Sequence, residues 1–248
     1  MRGDRFTGKV ALIVGAAAGI AAATARMIAD EGGIVAAVDR DVSALAGDGF
    51  LQVYACDALA ASEAEHTVKA VLARNGRIDI LVNAVGGSTG LADMNAPLEA
   101  LSPAEWDGMI SFNLTPTFNF CRAVIPAMKA QRHGKIVNIA SHAAYGIDVA
   151  TSAYATAKAG IIGLTRKLAL ELGPYNIHCN ATAPSRTLTD RVRRMMDTTA
   201  NKAGDDYLAK IPLRRLASVD EQASVICFLA SSESDYITGV TLDVTGGQ

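Results

Sequence analysis

A doubly wound, parallel α/β sheet with helices on both faces is the fold class this sequence predicts, as a single domain over residues 1–248. Three observations carry that expectation. Short apolar runs alternate with helical patterns along the whole chain, without internal repeat or low-complexity linker. Half of the residues are hydrophobic but only 5% are aromatic, so the core is built from Ala, Val, Ile and Leu, which suits strands covered on both faces. Gly15, Asp39, Asp57, Gly86, Ser141 and Pro184 each fall at the carboxyl end of a predicted strand, the edge of such a sheet at which ligands bind.

The first strand is Lys9 to Val14, and Gly15 ends it. Gly15 and Gly19, spaced G-x3-G, lead into a helix reaching about Asp30. Strand, glycine turn and helix N-terminus together can hold a pyrophosphate on backbone N–H groups, which makes Gly15, Ala18, Gly19 and Ile20 candidate cofactor contacts. Simple helix packing is the competing explanation for those glycines. The second strand, Ile34 to Val38, ends at Asp39-Arg40. A carboxylate there can accept both ribose hydroxyls of an adenosine and would repel a 2′-phosphate, so NAD is favoured over NADP. Arg40 could swing toward such a phosphate, which keeps NADP open.

A third strand runs from Phe50 to Ala55. Asp57 and Ala58 follow it, placed for the adenine, although Asp57 could instead cap the helix that begins near Ser62. Ile78 to Val82 is the fourth strand, and Ser88 to Ser102 is irregular and polar, a candidate substrate-side loop. Trp106 to Gln131 reads as a long helix containing Asn113. Pro116 removes one N–H and crowds the carbonyl of residue 112, so a local kink is expected, which would free backbone carbonyls to hold a water. A break between two helices, with Asn113 chemically idle, is the other outcome.

Lys135 to Ala140 is the fifth strand and ends at Ser141. Tyr154 and Lys158 stand four apart in the segment that follows, so a helix there puts phenol and ammonium on one face. A tyrosine with an ordinary pKa of about 10 is a poor base at neutral pH, and a neighbouring cation lowers it toward the working range. A serine hydroxyl can meanwhile bond the substrate oxygen. Together these are what carbonyl reduction or alcohol oxidation needs. A half-buried Tyr and a surface Lys is the bland reading of the same spacing. The helix should stop at Gly173-Pro174, and Ile177 to Ala183 is a sixth strand. Arg186 to Lys210 is polar and mixed in charge, the profile of a mobile lid over the substrate. A helix from Ala217 to Ala230 and a last strand from Thr238 to Val244 complete the chain.

At this point the sequence resembles the short-chain dehydrogenase/reductase family over essentially its full length. Asn113, Ser141, Tyr154 and Lys158 match that family's catalytic tetrad, and Ser232 to Gly247 resembles its C-terminal signature. The resemblance implies a Rossmann-type sheet of about seven strands and a homotetramer. It implies that Tyr154 is the acid/base, that Lys158 binds the nicotinamide ribose and lowers the tyrosine pKa, that Ser141 orients the substrate, and that Asn113 holds a relay water. It adds Asn83, Ala84 and Gly86 after the fourth strand, and Pro184, Ser185, Thr187 and Thr189 after the sixth, as cofactor contacts. Departures from the family pattern all touch cofactor framing: Val14 and Ala21 in the glycine motif, Ala84, Ser185 and Thr187.

Composition narrows the partners. A formal net charge of −2 and a sequence pI near 6.1 give no reason to expect nucleic acid or an anionic membrane. Cys56, Cys121, Cys179 and Cys227 are scattered, with no CxxC, and read as thiols of a reducing, cytoplasmic setting; no metal site is expected. The uncharged run Val10 to Ala25 imitates a signal peptide only faintly, because Gly15 and Gly19 divide it. The expected activity is NAD-linked interconversion of a secondary alcohol and a ketone. The substrate walls fall to Ser88, Thr89, His142, Tyr145, Arg186 and Met195, with His142 as readily a solvent-facing side chain. A polyol, sugar, cyclic alcohol or hydroxyacyl thioester would each suit. An NADPH-linked 3-oxoacyl reductase is the second enzyme reading, and a catalytically weak dinucleotide-binding protein is the non-enzyme one.

Overall fold

The computed structural model describes residues 3–45, 52–88, 93, 95–146, 150–198 and 202–248. Seven parallel strands form one sheet in the order β3-β2-β1-β4-β5-β6-β9. They are β1 (Val10–Val14), β2 (Ile34–Asp39), β3 (Gln52–Ala55), β4 (Ile80–Asn83), β5 (Gly134–Ile139), β6 (Ile177–Pro184) and β9 (Thr241–Val244). The helices α1 (Gly19–Asp30), α2 (Ala61–Asn75), α3 (Pro103–Gln131), α4 (Ser152–Leu172) and α7 (Val219–Ala230) connect them. The order reverses between β1 and β4, and that switch point opens the crevice in which ligands of such sheets bind.

Strand alternation divides the core into two layers. Leu12, Val14, Leu81 and Ile136 face α2, α3 and α4, where Phe120 and Val124 meet them. Ile13, Ala37, Val82 and Val137 face the other way, onto Ile28 of α1 and Ala223 and Ile226 of α7. Full burial of one such Leu, Ile or Phe side chain contributes about 1.5–3 kcal/mol. Ala21 lies in that second layer, 2% exposed, so the methyl that replaces the usual glycine hydrogen is accommodated. Short strands made mostly of Ala, Val and Ile therefore bury both faces at once, as the composition predicts.

Several boundaries differ from expectation for local reasons. The fourth strand starts at Ile80 because Asp79 turns inward at the base of the sheet, where its Oδ2 accepts the Val10 N–H at 2.9 Å. The last strand starts at Thr241, since Gly239 (φ +77°) makes a turn whose N–H reaches the Cys179 carbonyl. Phe50 lies outside the described residues. The helix expected from Trp106 starts earlier, at Pro103, through a capping box in which Ser102 and Glu105 exchange bonds. It runs unbroken through Pro116 and a second interior proline, Pro126, so the two-helix outcome does not hold. The segment expected to be a polar lid contains a short strand β7 (Thr187–Leu188), paired with β8 (Ala217–Ser218), and two helices, α5 (Asp190–Thr198) and α6 (Lys202–Ala209). Among the described residues no helix is long and apolar enough to cross a membrane.

Candidate active site

The α4 helix begins where Thr151, itself buried, accepts the Tyr154 N–H. That cap fixes the first turn, and Lys158 follows one turn later. The Lys158 Nζ donates to the Ile139 carbonyl at 2.9 Å, tying α4 to the end of β5, and lies 5.9 Å from the centre of the Tyr154 ring. Burial pushes the ammonium down to about 8, and among the described residues no carboxylate pairs with it. Ser141 follows the same strand end. Its Oγ accepts the Ala143 N–H at 3.2 Å, which leaves the hydroxyl proton for a substrate oxygen.

Asn113 reaches the same place from α3. Its Oδ1 accepts the Gly87 N–H at 2.8 Å, and its Nδ2 donates to the carbonyls of Gly87 (3.2 Å) and Met109 (3.1 Å). The side chain thus clamps the loop after β4 by both its donor and its acceptor. Gly86 adopts φ +143°, and a Cβ there would lie 2.6 Å from Asn113 Oδ1 and 3.1 Å from Lys158 Nζ. Only a hydrogen fits between the two polar groups, so Gly86, Asn113 and Lys158 converge within a few ångströms. This convergence does not depend on any resemblance.

A cradle lies beside it. Gly15 (φ +87°) lets the first turn press against the backbone of Ala84 and Val85, where a Cβ would stand 3.1 Å from the Val85 nitrogen. Gly19 (φ +61°) faces the Thr189 methyl across 3.4 Å measured from the same hypothetical Cβ. No side chain caps α1, since Ala18 is its N-cap residue, so its first N–H groups are left to an external acceptor. Asp39 accepts the Ala17 N–H at 3.0 Å on one oxygen and the Asp41 N–H at 3.3 Å on the other, which holds its carboxylate against the turn. An uncapped helix start, a carboxylate at the next strand end and two close backbone approaches fit a dinucleotide. Thr187 and Ser185 are nearly buried, with Thr187 Oγ1 donating to the Ser185 carbonyl.

Other predicted residues lie elsewhere or do something else. Asn83 is turned into the interior, where its Nδ2 donates to Asn138 Oδ1 at 2.9 Å, and Asn138 in turn donates to Thr165. Its side chain therefore braces β4 against β5 and α4 rather than lining the cleft. Asp57 does not cap α2, whose N-cap residue is Ala60; its Oδ1 accepts the Leu59 N–H in a local turn. The Ala58 carbonyl accepts from Asn119 of α3, and Arg40 is exposed. His142 is buried rather than solvent-facing, 3% exposed, and stands edge-on to Tyr145. Tyr145 is bonded to Asp243 of β9, and burial followed by that carboxylate raises its phenol above the ordinary range. Ser88 is half-buried, Thr89 lies outside the described residues, and nothing is described of the Met195 side chain. A groove of about 470 Å³ between α2 and α3, lined by Val68, Leu72 and Pro126, contains none of the predicted site residues.

Three contributors were not singled out from sequence. Thr151 carries a readable signal, a threonine just before a helical run. Gly87 and Tyr207 matter only through partners distant in sequence and carry none.

A tyrosine and a buried lysine on one helix, a serine at the adjoining strand end, an asparagine clamp and a dinucleotide cradle occupy one edge of the sheet. The family model described as Enoyl-(Acyl carrier protein) reductase matches residues 15–248. The chain belongs to the short-chain dehydrogenase/reductase family. It is similar to D-threitol dehydrogenase of Mycolicibacterium smegmatis, 39% identical over 251 residues that cover 98% of this chain and 94% of that one. It is similar to the 3-oxoacyl-[acyl-carrier-protein] reductase FabG of Thermotoga maritima, 36% identical over 98% of both. Among solved structures, levodione reductase superposes with a TM-score of 0.90 at 32% identity, covering 98% of each chain. This family member is an oxidoreductase of the kind that binds a nicotinamide dinucleotide.

Proposed function

We propose that this family member interconverts a secondary alcohol and a ketone with NAD(H), with Tyr154 as the general acid/base. The buried Lys158 ammonium beside the Tyr154 ring carries this reading. A cation that is costly to bury and has no carboxylate partner is retained where it stabilises a developing phenolate and hydrogen-bonds a ligand. The turn from Gly15 to Ile20, Asp39, the loop at Ala84–Gly86, and Pro184, Ser185, Thr187 and Thr189 after the sixth strand would hold the dinucleotide. When bound, the nicotinamide supplies the hydride chemistry. Tyr154 takes the alcohol proton in oxidation and gives it back in reduction, while the Ser141 hydroxyl donates to the same substrate oxygen. Asn113 holds the β4 loop against Lys158, and the proton leaves along that side of the cleft.

Asp39 supports NAD: its carboxylate sits against the glycine turn, where a 2′-phosphate would meet like charge. The exposed Arg40 and the similarity to a 3-oxoacyl reductase support a second reading, NADPH-linked ketoacyl reduction. Self-association as a tetramer belongs to the same proposal and is supported by Phe118 and Leu170, exposed on α3 and α4. A cytoplasmic location is supported by the four cysteines, all buried and none in a disulfide. Titration with NADH and NADPH, followed by cofactor fluorescence, tests the cofactor assignment. Tight NADH and weak NADPH binding is expected, the reverse order favours the ketoacyl reading, and binding of neither overturns both.

A further inference from the structure

Two arginines among the described residues are half-buried, Arg5 and Arg186. Arg5 is paired with the carboxylates of Glu31 and Glu233. Arg186 is paired with none; no carboxylate or carbonyl of the described residues accepts from its guanidinium. It is nevertheless held in place. The guanidinium lies 4.1 Å over the Tyr207 ring, and its own backbone N–H donates to the Tyr207 Oη at 3.4 Å. Tyr207 is 8% exposed and its hydroxyl donates in turn to Gln248 Oε1, so the platform beneath the cation is anchored through its phenol oxygen. The nearest acid in sequence, Asp190, is exposed at the start of α5.

The register of the sheet locates this cation. Ile139 of β5 pairs with Thr182 of β6, so continuing that alignment brings Ser141 level with Pro184, with Arg186 two residues further out. Arg186 thus follows β6 at the same carboxyl edge of the sheet at which Ser141 follows β5. Partly desolvating a cation without a counter-charge is unfavourable unless an anion completes the site. A stacked, planar guanidinium with its edge free is also the geometry for bidentate recognition of a carboxylate.

We propose that Arg186 is the specificity-determining residue for a substrate carboxylate, so that this enzyme acts on a secondary hydroxy acid or the matching keto acid. The inference rests on the oxidoreductase reading above and narrows it, favouring an acidic substrate over a neutral polyol or cyclic alcohol.

The experiment pairs each of a set of keto acids with its methyl ester: pyruvate, acetoacetate, levulinate and 5-oxohexanoate. Turnover with NADH gives kcat/KM, and calorimetry on the free protein gives affinity. At least one acid is expected to be preferred over its ester by about thirtyfold, the size of a charge-assisted pair. In Arg186→Met that preference falls to within about threefold, and Arg186→Lys recovers part of it, while NADH affinity and melting temperature stay unchanged. No acid preferred over its ester in the natural protein, or a preference that survives Arg186→Met, overturns the proposal. Loss of NADH binding in the natural protein would instead remove the underlying reading, and the calorimetric preference would still report on Arg186.

Discussion

The two ends of the sheet treat buried charge differently. At the base, cations meet anions: Arg77 and the fully buried Asp79, Lys135 and Asp235 at 2.8 Å, Arg5 and Glu31. At the carboxyl ends of the strands Lys158 is buried and Arg186 half-buried, and among the described residues they have only a carbonyl or an aromatic ring for company. Charge at the base is neutralised within the chain and belongs to stability. Charge at the top is left uncompensated, so its counterpart must come from a ligand or from a proton moving during reaction. The contrast separates structural from functional residues.

The largest effect that would break or sharpen this contrast is at Tyr154. Tyr154→Phe should lower kcat by about a thousandfold or more, the upper part of the range for losing an acid/base, with NADH affinity within twofold. An equal loss in affinity would mean the phenol binds rather than reacts. Next comes the base. Asp79→Ala leaves the buried Val10 N–H without an acceptor and Arg77 without its partner, and urea unfolding should show a loss of about 1–3 kcal/mol. Its kcat/KM per folded molecule should not change; a catalytic defect would show that the base is not purely structural.

Lys158 gives an effect of opposite sign on stability. Its folded pKa is depressed from 10.5 to about 8, so the charged form weighs against folding by roughly 3 kcal/mol below pH 8. Because the unfolded chain keeps the proton longer, that penalty is relieved as pH rises from 8 toward 10.5. Lys158→Met should therefore abolish turnover yet melt a few degrees higher at pH 7, the gain being reduced by the bond lost to Ile139. Stability measured between pH 8 and 10.5 should rise less in the variant than in the natural protein. The smallest effect is Asp39→Ser, which should relax NADH-over-NADPH preference by about tenfold through loss of one like charge. An unchanged ratio would show that the turn, not the carboxylate, selects the cofactor.

Much of this was legible in sequence. Apolar runs ending in Gly, Asp, Ser or Pro gave the sheet and the edge where the site lies, because backbone period and burial are local properties. Tyr154 and Lys158 could be placed together because helical spacing is also local. Asn83 was misplaced because a polar residue at a strand end reads the same whether it turns outward to a ligand or inward to Asn138. His142 was offered as readily to solvent as to substrate because its burial depends on α4 packing against the turn that contains it. Arg186 stood out only as a cation in a charged loop. The ring beneath it is Tyr207, twenty-one residues on, too far along the chain for spacing alone to pair the two.

The glycine at position 86 sets a rule for anyone who wants to diversify this enzyme. Any other residue would place its first side-chain carbon between Asn113 and Lys158, so a codon library that includes position 86 spends most of its members on inactive catalysts. Randomisation is better directed at the exit of β6, where a change in side chain would alter what is accepted while the hardware for proton transfer is left untouched.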